Sequence, residues 1–232
     1  MTGLSFVVPA CNEAGLLPRT LAGLQEAGRA SGRAWEIVVV DNASTDGTAA
    51  VAAAGGARVV AEPFRQIARA RNRGAREGRG RYLFFVDADT LVSPALLQQA
   101  LGALEGGAVG GGSRLALSGG GPVARLLVGA WNGLSSRLGL AAGSFLFCRR
   151  EAWEGAGGFD ERVYAGEEIW FSRRLKRWGR ERGMAFRILA SDPPVTSSRR
   201  MDTPGALCLA LAQFLLLALC PWLSRSRRAC FL

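Results

Sequence analysis

The chain has 232 residues, of which 49% are hydrophobic, so it can bury the core of one sizeable α/β domain or two small ones. Its formal net charge is +10, but Lys176 is the only lysine and the arginines are dispersed, which favours a membrane surface over a nucleic acid as partner. The sequence contains no histidine, which excludes Ser-His-Asp triads and metal sites built on imidazole.

The cysteines and the N-terminus bear on the cellular compartment. The five cysteines are widely spaced without a Cys-x-x-Cys pair, a pattern typical of reduced thiols. The first apolar run soon meets Asn12 and Glu13 and has no basic region before it, so it does not resemble a signal peptide. We therefore expect the catalytic part to lie in the cytoplasm.

Short apolar runs alternate with helical stretches through the first half of the chain. The runs predict strands at Leu4–Val8, Trp35–Val40, Arg58–Ala61 and Tyr82–Val86. Between and after them, helices are predicted at Leu16–Ala27, Thr48–Ala54, Phe64–Glu77 and Pro94–Leu104. Strands rich in Val, Ile and Phe that alternate with helices indicate an α/β fold with a mostly parallel sheet flanked by helices.

The second half of the chain has a different pattern. A glycine-rich strand after Gly106 is followed by a helix around Val123–Leu138, a strand at Ser144–Cys148 and a helix that opens near Glu167. We expect one domain at residues 1–202, with one half at 1–105 and the other at 106–202.

Residues 203–224 carry no charge and are apolar on all sides of a helix. A helix of this length could just cross a hydrocarbon core of about 30 Å. The segment could span the membrane, enter it and return on the same side, or lie on its surface. The alternative to all three is a C-terminal helix buried in the protein. We predict that residues 203–232 are a membrane-association segment with a basic tail, which places the protein at the cytoplasmic face of the cell membrane.

Acidic residues follow three of the predicted strands, at Glu13, Asp41, Asp87 and Asp89. The carboxyl ends of parallel strands meet at one edge of a sheet, so these carboxylates should converge on one crevice. Carboxylates favour Mg²⁺ or Mn²⁺, and these ions favour a diphosphate. Taken alone, Asp41 could equally cap the helix that follows it.

The two carboxylates of Asp87-Ala88-Asp89 are two residues apart, so on an extended backbone both would point the same way. One could bind a metal while the other contacts a ribose. The alternative is a simple turn followed by a helix that Thr90 or Ser93 caps.

Five ordered motifs carry a family resemblance. They are Val8-Pro9-Ala10-Cys11-Asn12-Glu13, Val39-Val40-Asp41-Asn42-Ala43-Ser44-Thr45-Asp46-Gly47-Thr48, Ala70-Arg71-Asn72-Arg73-Gly74, Phe85-Val86-Asp87-Ala88-Asp89-Thr90, and Gly157-Gly158-Phe159-Asp160 followed by Gly166-Glu167-Glu168. In this order they closely resemble the family 2 inverting glycosyltransferases with the GT-A fold. The resemblance covers roughly residues 4 to 200.

The resemblance implies a nucleoside-diphosphate sugar donor, a donor nucleotide half at 1–105 and an acceptor half at 106–202. It also implies roles for residues around the donor. Pro9 and Glu13 would shape the nucleotide pocket, and Asp41 would contact the base or the ribose. Pro9 could instead serve only as a strand terminator.

The same resemblance implies that Arg71 and Asn72 border this pocket. It also places Asp87 near the ribose or the metal and Asp89 on the metal. The alternative for Arg71 is a solvated helix residue.

A chain without histidine needs a carboxylate as its general base, with a pKa raised by burial or by a neighbouring negative charge. Glu167 and Glu168, adjacent at a helix start, provide such a pair, although acidic residues in a first turn also simply complement the helix dipole. The resembled family usually has Glu-Asp here with the second residue as base. We therefore choose Glu168 over Glu167, while its extra methylene group keeps the choice open.

Three further residues are candidates for binding an acceptor or a phosphate group. Trp170 lies on the helix of the glutamate pair, and Arg199 and Arg200 precede the apolar segment. The arginines match phosphate oxygens but could equally be juxtamembrane anchors.

The predicted function is metal-dependent, inverting transfer of a sugar to the hydroxyl of a saccharide or lipid-linked acceptor. Two alternatives stay open, a nucleotidyltransferase acting on a sugar phosphate and a catalytically silent nucleotide-binding membrane scaffold. A nucleotidyltransferase would favour a glycine-rich phosphate loop after the first strand, and Pro9–Glu13 has none. We expect no nucleic-acid partner.

Overall fold

The computed structural model describes residues 3–198. Its strands are β1 (Leu4–Ala10), β2 (Trp35–Asp41), β3 (Arg58–Ala61), β4 (Tyr82–Val86), β5 (Thr90–Leu91), β6 (Gly110–Ser113), β7 (Ala116–Leu117), β8 (Phe145–Arg149), β9 (Phe186–Leu189) and β10 (Val195–Thr196). Its helices are α1 (Leu17–Ala30), α2 (Thr48–Ala54), α3 (Ile67–Glu77), α4 (Pro94–Glu105), α5 (Pro122–Leu138), α6 (Arg150–Gly155) and α7 (Glu167–Arg180).

The strands form a large sheet and a small one. The large sheet has the order β3-β2-β1-β4-β8-β6-β9. Its first four strands are parallel, whereas β8 runs antiparallel to both of its neighbours, β4 and β6. The small sheet has the order β5-β10-β7. The predicted α/β fold with a mostly parallel sheet is confirmed.

Alternate residues of the central strands face opposite layers of helices. On one face, Phe6, Val8 and Phe84 pack with apolar residues of α1, α2 and α4. On the other face, Val7 and Phe85 pack with α3, α6 and α7. Both faces of the sheet are therefore covered, which explains why the strands are apolar at nearly every position.

Helix α3 approaches the sheet closely at Gly74. A Cβ atom added there would lie 2.3 Å from Val7 Cγ1 and 2.9 Å from Val40 Cγ2. We expect Gly74→Ala to destabilise the fold by about 1–3 kcal/mol, because overpacking forces a core to shift.

Gly102 is a matched control for this prediction, because it is exposed on α4 and a Cβ there would meet no atom within 4 Å. Gly102→Ala should stabilise the protein by roughly 0.5–1 kcal/mol through helix propensity alone. Urea unfolding measures both changes. Equal effects of the two substitutions would contradict the close packing of α3.

Several features differ from the sequence prediction. Helix α3 begins at Ile67 instead of Phe64, because Gln66 is extended with a φ of −158°. The pairing of β5, β7 and β10 was not predicted, since strands of two residues have no readable period. Within residues 3–198, no helix is long and apolar enough to cross a membrane. The predicted segment at 203–232 lies outside the described residues, as do Arg199 and Arg200.

Candidate active site

A cleft of about 390 Å³ opens at the carboxyl ends of β1 and β4. Of the predicted site residues, Pro9, Glu13, Asp87 and Asp89 line it. The cleft is further lined by Ala10, Cys11, Asn42, Arg65, Gln66, Ile67, Ala88 and Tyr164. Several acidic residues that are distant in sequence thus reach one crevice, as the parallel strands predict.

Pro9 lies within β1 and is not its terminator, since the strand continues to Ala10. The pairing of β1 with β4 ends at Val7, while the pairing with β2 continues through Pro9. A proline is tolerated here because one side of the strand has already lost its partner. That side faces the cleft, which leaves the end of β1 open to a ligand.

The loops after β1 and β2 are fastened to each other beside the cleft. The Asn12 backbone N–H donates to Ser44 Oγ over 3.1 Å, and Thr45 N–H donates to Asn12 Oδ1 over 2.8 Å. Asn12 and Ala43 have φ values of 56° and 58°, a backbone conformation that costs free energy in residues other than glycine. These contacts hold the loops in that conformation and fix one wall of the cleft.

Asn42 and Gln66 organise the opposite wall. The Asn42 amide donates to the carbonyl oxygens of Glu62 and Phe64 and accepts the Gln66 backbone N–H. The Gln66 amide in turn donates to the carbonyl oxygen of Val163 over 3.1 Å. The wall is therefore tied to the loop that precedes α7.

The Asp87-Ala88-Asp89 motif is a turn and not an extended segment. Strand β4 ends at Val86, and Thr90 N–H donates to the Asp87 carbonyl oxygen over 3.1 Å. The two side chains still line the same cleft, but they have different partners. Asp87 accepts from the Arg71 guanidinium, whereas Asp89 Oδ1 accepts from Thr196 Oγ1 over 3.3 Å. Ser93, one of the two capping candidates, does cap α4.

Arg71 is the centre of a buried network beneath the cleft. Its side chain is 1% exposed, and its Nη2 lies 2.9 Å from Asp87 Oδ1 and 3.2 Å from the Gly143 carbonyl oxygen. Its Nη1 donates to Glu167 Oε1, and its guanidinium lies over the Phe159 ring. Burial alone would lower the pKa of Arg71, but the charges of Glu167 and Asp87 outweigh it and raise that pKa. The solvated alternative for Arg71 is wrong.

The structure distinguishes the two glutamates, which the sequence could not. Glu167 is 4% exposed and is paired with Arg71, whereas Glu168 is half-buried. Burial, followed by the negative charge of Glu167, raises the pKa of Glu168 to about 8. Such a carboxyl holds a proton more tightly than an exposed one, which is the property expected of a general base near neutral pH.

Besides Arg71, Glu167 and Glu168, three predicted site residues, Asp41, Asn72 and Trp170, do not line the cleft. Asp41 Oδ1 accepts from Ser44 N–H over 3.1 Å, and the cap of α2 is Gly47, so Asp41 does not cap that helix. Asn72 is not among the residues that line the cleft, and its side-chain amide forms hydrogen bonds with Phe159 and Glu161. Trp170 lies on α7 beside Arg173.

The predicted site residues leave out eight residues that line the cleft, among them Cys11, Arg65, Gln66 and Tyr164. Arg65 is exposed, and its Nη2 lies 2.9 Å from Cys11 Sγ. Arg65 and Gln66 fall within the segment predicted as the first turn of a helix, but this segment forms the wall itself. An exposed arginine in an arginine-rich chain gives no signal in the sequence.

The donor groups in the cleft fit a hard divalent cation. Within residues 3–198, no group of three or more His, Cys, Asp or Glu side chains is arranged to hold a metal. Of the three carboxylates at the cleft, Asp87 and Asp89 are two residues apart and offer the oxygen ligands that Mg²⁺ and Mn²⁺ prefer. Arg71 neutralises part of the charge of Asp87, and Asp89 accepts a hydrogen bond from Thr196.

The glycosyl transferase family 2 model matches residues 5–134, more than half of the chain. The chain belongs to this family. The predicted family and the predicted glycosyltransferase type of enzyme are thereby confirmed. No curated protein sequence matches the chain.

Solved structures show the same fold. TarS 1–349 from S. aureus in complex with UDP-GlcNAc is 15% identical with a TM-score of 0.68, covering 94% of this chain and 67% of that one. A mannosyltransferase from Pyrobaculum calidifontis in complex with GDP-Man and Mn²⁺ is 25% identical with a TM-score of 0.66, and the match covers 92% of this chain and 61% of that one. Glucosyl-3-phosphoglycerate synthase from Mycobacterium tuberculosis, in complex with Mn²⁺, UDP and phosphoglyceric acid, is 23% identical with a TM-score of 0.67. The match covers 93% of this chain and 78% of that one.

The chain spans less than the full length of these proteins. It covers 65% of the TarS 1–349 structure and 39% of a longer TarS structure. The likeness establishes the GT-A-type fold.

Proposed function

We propose that the chain transfers a sugar from a nucleoside-diphosphate sugar to an acceptor hydroxyl, with inversion at the anomeric carbon. One observation carries this proposal. The buried guanidinium of Arg71 joins Asp87, at the donor cleft, to Glu167, at the start of α7. The donor cleft and the candidate base are therefore parts of one rigid arrangement, as a transfer between two bound substrates requires.

The proposed roles follow from position and charge. Pro9, Glu13 and Asp87 line the space proposed for the nucleotide, and Asp89 would hold Mn²⁺ or Mg²⁺. When bound, the metal supplies a positive charge that stabilises the departing diphosphate. Glu168 accepts the proton of the acceptor hydroxyl. The oxygen of that hydroxyl forms the new bond to the anomeric carbon, and the bond between the anomeric carbon and the diphosphate breaks. The binding roles predicted for five other residues stay predictions; these are Asp41, Asn72, Trp170, Arg199 and Arg200.

Mn²⁺-bound or UDP-bound relatives support the donor and metal classes proposed here. The lipid-linked acceptor and the cytoplasmic membrane face follow from the uncharged residues 203–224 alone and are part of the same proposal. A saccharide acceptor in solution is the competing possibility.

A thermal-shift screen tests the donor and the metal. We expect the melting temperature to rise with one class of nucleoside-diphosphate sugar in the presence of Mn²⁺ or Mg²⁺, because a ligand of the native state stabilises it. Asp89→Asn should reduce the metal-dependent part of the rise and leave the metal-free melting temperature close to that of the wild type.

The screen also separates the proposal from its rivals. Donor binding and slow donor hydrolysis together support glycosyl transfer. Binding without hydrolysis or transfer to any acceptor would favour the silent scaffold, and release of pyrophosphate from a nucleoside triphosphate and a sugar phosphate would favour the nucleotidyltransferase. Metal-independent binding that weakens steeply with salt would contradict all three and point to a polyanion.

A further inference from the structure

Helix α5 presents four of its large apolar side chains to solvent. Leu126 is 72% exposed, Val123 52%, Leu138 51% and Leu134 36%. The only other large hydrophobic residue exposed to this degree among residues 3–198 is Phe64. The spacing of the four α5 residues places them along one side of the helix, which we call the α5 stripe.

A neighbouring side of α5 attaches the helix to the domain through small and polar residues together with the half-buried Leu127, Val128 and Trp131. Ala124 and Ser135 are its buried residues, and Ser135 Oγ donates to the Leu140 carbonyl oxygen over 2.6 Å. The Asn132 amide forms two hydrogen bonds of 3.0 Å with the backbone of Leu115. An ordinary surface helix buries its apolar side and exposes its polar one. Helix α5 departs from this rule, because the four residues of its stripe stay exposed, and an exposed apolar stripe of this kind indicates a binding surface.

The charges on α5 and on the chain segments that flank it are of one sign. No aspartate or glutamate occurs between Glu105 and Glu151, whereas Arg125 and Arg137 lie on α5 itself. Both are exposed, and neither takes part in an ion pair within the described residues. Apolar side chains bordered by arginines match a lipid surface with anionic headgroups.

Helix α5 also starts close to the predicted metal ligand. Thr196 of β10 contacts Asp89, and two residues later Ser198 packs against Gly119 and Gly120, just before α5. The uncharged residues 203–224 follow Ser198 closely in the sequence. A membrane that contacts α5 would therefore lie near the active-site cleft.

We propose that α5 docks onto an anionic lipid surface through its stripe, independently of whether the protein transfers a sugar. The uncharged residues 203–224 are the rival occupant, but they would leave Arg125 and Arg137 without opposite charges. A helix formed by them would also be apolar on its far side, so packing on α5 would cover only part of it. The lipid surface satisfies both the apolar and the charged residues of α5.

The experiment maps contacts between lipid and protein in the full chain. Vesicles contain a photoactivatable diazirine lipid in phosphatidylcholine, with or without phosphatidylglycerol, and labelled peptides are identified by mass spectrometry. We expect label on residues 122–138, and more of it with phosphatidylglycerol. Leu126→Gln/Leu134→Gln should reduce this label about ten-fold, because two apolar contacts are lost. The control Leu126→Met/Leu134→Met should retain it, since its side chains stay apolar.

Local labelling keeps the test independent of any anchoring by residues 203–224. Label elsewhere in the chain with none on 122–138 would overturn the proposal. Cross-links between 122–138 and 203–224 without lipid, retained when vesicles are added, would identify the chain's own segment as the occupant and would also overturn it. A dimer that forms with increasing protein concentration, and that the Gln substitutions disrupt, would identify a second copy of the chain as the occupant of the stripe and would also overturn the proposal.

Discussion

Glu168→Gln should lower kcat by about 10²–10⁴-fold, the range that a positioned general base contributes. Donor affinity should change little, because Glu168 does not line the donor cleft. Glutamine keeps the size of the side chain but cannot accept a proton, so the loss would report on proton transfer. Steady-state kinetics measure kcat, and a donor titration by calorimetry measures affinity.

Glu168→Asp is the matched control, because it keeps a carboxylate and introduces the residue that family 2 glycosyltransferases usually have at this position. It should retain much more activity than Glu168→Gln. Near-normal turnover of Glu168→Gln would remove Glu168 from the mechanism.

The pH dependence of the wild type provides a second readout of the same prediction. The base must be ionised, and the pKa of Glu168 is raised to about 8. The group is protonated below this value, so kcat/KM should increase with pH and reach half of its plateau near pH 8. The residual activity of Glu168→Gln should lack this increase. An identical pH profile in the variant would assign the increase to another group.

Arg71→Met should destabilise the fold by about 3–5 kcal/mol, because removing one partner of a buried ion pair leaves the other charge uncompensated. Glu167 carries most of this cost, since its side chain is 5% exposed while that of Asp87 is 32% exposed. Urea unfolding measures the change. Arg71→Lys should be intermediate, because one ammonium group cannot reach three oxygen partners in the same geometry.

Arg73→Met is the control on the same helix. Arg73 is half exposed and forms an ion pair with Glu77 one turn away, a type of pair worth about 0.3–0.5 kcal/mol. If Arg71→Met does not fold, the double variant Arg71→Met/Glu167→Gln should recover much of the stability by removing the buried charge. A cost for Arg71→Met no greater than that for Arg73→Met would contradict the buried network.

The sequence predicted the sheet well where strands are buried on both faces. The run from Tyr82 to Val86 is entirely apolar, and its predicted bounds agree with β4. The convergence of Glu13, Asp87 and Asp89 could also be predicted, because it follows from parallel strands and needs no knowledge of side-chain packing.

The sequence could not predict what depends on contacts across the chain. Arg71 is one of four arginines on α3, and only its pairing with Glu167, 96 residues away, distinguishes it. The same contact separates Glu167 from Glu168, whose positions along a helix are otherwise equivalent. Asn72 lies beside Arg71 in its motif, yet its amide holds the loop before α7.

The position of β8 has a consequence for how the chain can fold. This strand lies between β4 and β6, so residues 145–149 complete the edge of a strand that is about sixty residues earlier in the chain. A growing chain that had reached only the end of α4 would expose the unpaired edge of β4, with Phe84 and Phe85 on its two faces. Such an edge is a template for intermolecular strand pairing. The donor half should therefore be prone to aggregation as an isolated fragment, and it acquires a protected edge only when β8 has been synthesised.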